Sequence, residues 1–125
     1  MGIELKIIIT GILMLLMLTS GILLSRLGRP LNSLVFTLHK LITVAAIILS
    51  ALTIYHLQKN IELTNIHIAI FCFIGLVFLS SLISGALLSF EKPVINRIYI
   101  VIHKISTVFV LISTTLTICL LQFRN

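Results

Sequence analysis

The chain has 125 residues, 59% of them hydrophobic and 10% charged, with a mean hydropathy of +1.27. Soluble globular domains stop at about half apolar, so this composition excludes a soluble fold and implies an integral membrane protein. The +6 charge, with Glu4, Glu62 and Glu91 as the acidic residues, does not imply nucleic acid, because the lysines and arginines stand at the ends of apolar runs and no basic stripe is interleaved with aromatics.

The first apolar run, Ile7 to Leu24, matches the ~20 residues that a helix needs to cross the hydrocarbon. Lys6 in front and Thr19-Ser20-Gly21 behind imitate a secretory signal. The run is long for one, and its Gly11, Leu15, Leu18, Ser20 and Gly21 return later in the chain, so a retained helix is expected. Arg26-Leu27-Gly28-Arg29-Pro30 breaks it with glycine, proline and two arginines that resist burial. The second run, Leu34 to Leu57, carries His39, Lys40, Tyr55 and His56 and ends at Gln58-Lys59-Asn60. The third, Ile66 to Phe90, carries His67, Cys72 and Ser80-Ser81 and closes at Glu91-Lys92-Pro93; the fourth extends from Ile98 to Phe123. Cys72 and Cys119 stand alone in apolar sequence, with neither the CxxC of a zinc knuckle nor the CxxCH of c-type haem attachment.

Laid on itself at an offset of 64, the sequence gives nineteen identical pairs between residues 11 and 58, among them Gly21/Gly85, Ser20/Ser84, Asn32/Asn96, His39/His103, Lys40/Lys104, Thr43/Thr107 and Gln58/Gln122. Two helical hairpins, about residues 1–60 and 65–125, are therefore expected in tandem. Short connections make neighbours antiparallel, which predicts an all-α, up-down-up-down bundle of four transmembrane helices. With two spans per repeat, the copies face the same way, unlike inverted-repeat transporters. Arg26, Arg29, Lys40, Lys92, Arg97 and Lys104 fall on one side, and Lys6, Lys59 and Arg124 on the other. The turns joining helices one to two and three to four should then be cytoplasmic, with both termini and the Lys59 loop outside a plasma or inner cell membrane.

His39 and His103 each lie about five residues inside their helices, so at 1.5 Å per residue both sit roughly 8 Å deep. Helices two and four are diagonal in a square bundle, roughly 11–14 Å apart. Gly21 and Gly85 fall at the same depth on the other diagonal, where missing side chains leave room. Two imidazoles facing each other across a slot flanked by bare backbone suit haem, with His39 and His103 as the iron ligands. Thr43 and Thr107, one turn on, face inward and would orient the imidazoles or bond back to their own helix carbonyls. Lys40 and Lys104 point about 100° away; they either snorkel to headgroups or neutralise haem propionates. His56 and His67 share the outer face and offer a second site for haem, quinol or metal, with interfacial hydrogen bonding as the simpler role.

These residues resemble the four-helix transmembrane b-type cytochromes, the cytochrome b561 family and its bacterial relatives, in which histidines on non-adjacent helices clamp haem inside a bundle. The resemblance covers the whole chain in architecture, and His39, His103, Gly21 and Gly85 in motif. It implies haem b and electron transfer, linked to quinone or quinol or to redox partner subunits. Those families usually hold a second haem near the other face, but the position matching His56 is Leu120, so one haem is expected. Two other readings stay open: a structural or accessory membrane subunit without cofactor, and a small transporter. No acidic residue lies mid-span, which argues against proton-coupled export, and no carboxylate near either histidine or nucleophile elbow supports a hydrolase. The lipid bilayer and further copies of the chain complete the expected partners.

Overall fold

A computed structural model describes residues 2–28, 30–59, 64–90 and 97–123. Among these residues there is no strand, and the helices are α1 (Ile3–Leu27), α2 (Ser33–Gln58), α3 (Asn65–Phe90) and α4 (Arg97–Gln122). Each has 25 or 26 residues, about 38 Å at 1.5 Å per residue, and each is long and apolar enough to cross a membrane. The all-α expectation holds, and the helices begin and end within a few residues of the apolar runs. α1 starts four residues before Ile7, because Glu4 and Lys6 sustain a helix without belonging to hydrocarbon.

The helix ends follow local chemistry. Asn32 caps α2, its side chain accepting from the backbone of Leu34 and Val35 at 3.1 and 3.2 Å, as N-cap asparagines do. Gly28 ends α1 with φ +70° and ψ −159°, a conformation open to glycine and very little else. At the start of α3, the Thr64 backbone N–H donates to His67 Nδ1 at 3.2 Å, with Thr64 Oγ1 2.8 Å from the same nitrogen. This is a capping box with imidazole in place of the usual carboxylate. Arg29 and the expected closures at Asn60 and at Glu91-Lys92-Pro93 lie outside the described residues.

The chain divides into two compact units: α1 with α2, joined by the end of α4 from Ile118, and α3 with α4 as far as Thr117. In the first, α1 and α2 lie antiparallel, as the pairs Lys6/His56, Thr10/Thr53 and Ser20/His39 require. In the second, Ser81/Thr107 and Ser84/His103 set α3 against α4 in the same sense. The buried face of α2 is Ala46, Ser50, Thr53 and Leu57, and that of α4 includes Val110, Thr114, Thr117 and Leu121. Both follow alternating steps of four and three, the spacing of a left-handed coiled-coil seam.

Polarity in these helices runs opposite to that of a water-soluble bundle. Thr10, Ser50, Thr53 and Thr114 are fully buried, whereas Leu34, Ile66 and Leu76 are about two-thirds exposed. In lipid, large apolar side chains gain nothing by leaving the surface, and small or hydroxylated residues let backbones approach. The hydroxyls are mostly satisfied on their own helices: Ser50 donates to the Ala46 carbonyl at 2.6 Å, and Thr53 to that of Leu49 at 2.7 Å.

Candidate functional site

His39 lies on the α2 stripe two steps before Ala46, and its imidazole meets α1 at Gly21. A Cβ added at Gly21 would stand 3.2 Å from His39 Cε1 and 3.8 Å from both ring nitrogens, so the half-buried ring packs there only because position 21 has no side chain. The neighbouring Ser20 places its Oγ 2.9 Å from His39 Nδ1 while bonding the Met17 carbonyl at 3.1 Å.

α3 and α4 build the same arrangement. A Cβ at Gly85 would lie 3.0 Å from His103 Cε1, and Ser84 Oγ lies 3.1 Å from His103 Nδ1. Ser84 donates to the carbonyls of Ser80 and Ser81 at 2.8 and 3.1 Å, and the Ser81 carbonyl is itself 3.1 Å from His103 Nδ1. Gly21 and Gly85 are therefore each covered by the imidazole of their own hairpin, where the sequence suggested bare backbone beside a slot.

The remaining expected site residues divide clearly. Thr43 and Thr107 take the second of their two expected roles, donating to the carbonyls of His39 and His103 at 2.7 Å; Thr107 also lies 3.3 Å from Ser81 Oγ. They brace the backbone that carries each histidine, while Ser20, Ser84 and the Ser81 carbonyl meet the rings. Sequence reading noted Ser20 and Ser84 only as a recurring pair and missed them as ring partners; their recurrence at the 64-residue offset was the available signal. Lys40 is exposed, its ammonium 4.2 Å from the centre of the Phe36 ring one turn earlier in α2, as a snorkelling lysine would lie. Lys104 is likewise exposed.

His56, at the exposed end of α2, has its Nδ1 3.3 Å from the Lys6 ammonium, while His67 closes the α3 cap. Each is engaged within its own hairpin. No cluster of three or more histidine, cysteine or acidic side chains positioned to hold a metal occurs among the described residues, and Cys72 and Cys119 are free thiols. Comparison with family models, with curated proteins and with solved structures gives no match.

Proposed function

We propose that the protein is a membrane-embedded b-type cytochrome that passes single electrons, in which His39 and His103 would hold one haem b. The observation that carries this reading is the repeated unit of imidazole, glycine and serine. Each hairpin seats one histidine against a glycine backbone and engages its Nδ1, and metal-binding histidines are held in this way. The donor set fits the group: two imidazoles, with no cluster of three or more histidine, cysteine or acidic side chains among the described residues, match an iron porphyrin better than a tetrahedral metal site. Bound haem supplies a one-electron iron couple, and two imidazole ligands leave no open position for oxygen chemistry. His39 and His103 would hold the iron, Ser20 and Ser84 fix the rings, and the apolar helices would exclude water.

In this reading the two tandem hairpins form an up-down-up-down bundle in the cell membrane, with the Arg26–Arg29 turn cytoplasmic. Quinol or a redox subunit serves as electron partner, and further copies of the chain are a partner class that the exposed apolar side chains admit. The second reading is a cofactor-free accessory subunit, favoured by the fact that each imidazole already has a partner inside its hairpin. A reduced-minus-oxidised visible spectrum of the purified protein separates them: sharp b-type bands in the difference spectrum support the cytochrome, and a featureless one rejects it.

A further inference from the structure

The face of α2 turned away from its buried stripe is also ordered. Ser33, Thr37, Leu41, Val44 and Ile48 recur at steps of four and three and fall within about 40° of one line along the helix. All five are exposed, and the buried Ala46 and Ser50 lie opposite. Lys40 stands at the edge of this lane. It is exposed too, and its ammonium lies 4.2 Å from the centre of the Phe36 ring, so the side chain reaches back toward the start of the helix. No carboxylate meets that charge in its own hairpin. No acidic residue occurs from residue 5 to residue 61. Glu4, in the first turn of α1, is about 24 Å along that helix from Ser20, which is level with His39. Arg26, exposed in the last turn of α1, adds positive charge at the same end as Lys40.

We infer that this face of α2 docks one anionic phospholipid, with its phosphate on the Lys40 ammonium and an acyl chain along Leu41, Val44 and Ile48. The Phe36 ring attracts the ammonium through its π face without neutralising it, which holds the side chain in place and leaves its N–H groups for a charge-assisted bond to phosphate. Ser33 and Thr37 bring hydroxyls to the same end of the lane. From the level of Phe36 to that of Ile48 is about 18 Å, close to the ~15 Å of one leaflet in a ~30 Å hydrocarbon core. Charge decides the headgroup. A zwitterionic lipid would bring its own cation toward Arg26 and Lys40, where no acidic side chain of the hairpin's described residues receives it, whereas a net-negative headgroup meets complementary charge. α4 repeats the lysine as Lys104 but has Ile100 where α2 has Phe36, so the ring one turn before the lysine is not repeated.

The test titrates the full chain in a nonionic detergent with phosphatidylglycerol or with phosphatidylcholine of identical acyl chains, and native mass spectrometry counts the bound lipid. The first phosphatidylglycerol should bind about fivefold more tightly than the first phosphatidylcholine, the preference expected of one basic residue at an anionic surface. Lys40→Gln should remove that preference and Lys40→Arg keep it, with circular dichroism showing unchanged helix content in both. Lys59→Gln, an exposed lysine at the other end of α2, should keep it as well. Equal affinity for the two lipids, or a Lys40→Gln chain that still prefers phosphatidylglycerol, overturns the inference. An equal loss in Lys59→Gln also overturns it, because the preference would then follow net charge and not this face. Displacement of the lipid by glycerol phosphate at equal concentration would show that phosphate alone suffices, and would overturn a docked lipid as the occupant. No haem enters the measurement, so its outcome is independent of the cytochrome reading.

Discussion

An imidazole resting on a glycine is sensitive to the smallest added side chain. At Gly85 even alanine would bring its Cβ to 3.0 Å from His103 Cε1, so the ring must shift, and leucine must evict it; overpacking of this kind costs about 1–3 kcal/mol. Gly85→Leu and Gly21→Leu should therefore lose haem by displacing a ligand, and haem absorbance normalised to folded protein would read the loss. His39→Ala and His103→Ala should each abolish stable binding while His56→Ala retains it; full occupancy in both ligand variants would reject the assignment. Ser20→Ala should weaken haem binding by about tenfold or more, as loss of a ligand's hydrogen-bond partner does, with Ser20→Thr restoring it. Lys40 is exposed with its ammonium over Phe36; in the proposed cytochrome a lysine that snorkels to headgroups would be screened from the haem, so Lys40→Gln with Lys104→Gln should leave the midpoint potential unchanged. A fall would restore the propionate role, because removing positive charge favours the oxidised, more positive haem. His39, His103 and the two glycines were legible in the sequence because duplication singled them out. The serine contacts were not, since they depend on the axial register of α1 against α2, which periodicity within one helix does not fix.

At the scale of the helix, the seam is held by shape more than by hydrogen bonds across it. Thr10 and Thr53 approach to 3.1 Å, but each hydroxyl already donates its single proton to its own helix, at Lys6 and Leu49. A double-mutant cycle with Thr10→Val and Thr53→Val should thus give a coupling no larger than the ~0.6 kcal/mol average for hydrogen bonds between membrane helices. Thr114 is the contrasting case. It is fully buried, yet its Oγ1 is the buried side-chain atom without a hydrogen-bond partner among the described residues. Its counterpart Ser50 bonds the carbonyl four residues back, whereas the Thr114 hydroxyl makes no such bond to Val110. An unsatisfied buried hydroxyl costs about 1–3 kcal/mol, so Thr114→Val should match or exceed the wild type in thermal stability; a clear loss would mean that the hydroxyl has a partner. Helix number and extent were legible because twenty-residue apolar runs leave few alternatives. The buried stripe was legible as spacing, but spacing does not say that the Thr114 hydroxyl, unlike that of Ser50, goes without a partner.

For the whole molecule, the testable quantity is orientation. Lysine and arginine near span ends are retained on the cytoplasmic side, and six of the nine basic residues accompany the turns after the first and third runs. Those turns should face the cytoplasm and the Lys59 loop the exterior. A membrane-impermeant thiol reagent can decide this in intact cells, provided that Cys72 and Cys119, both exposed on the chain, are first replaced by serine. One reporter cysteine belongs at Asn60. The other should not be at Gly28, because its φ of +70° would strain any side chain; Leu27, exposed at the end of α1, is better. Asn60→Cys should be labelled in intact cells, and Leu27→Cys only after the membrane is permeabilised. The reverse pattern would overturn the charge-based orientation and carry His39, nearer the Leu27 end of its hairpin, to the outer side. Labelling of both sites in intact cells would break the two-span hairpin itself, since the single crossing of α2 would separate the two reporter sites by one full membrane thickness.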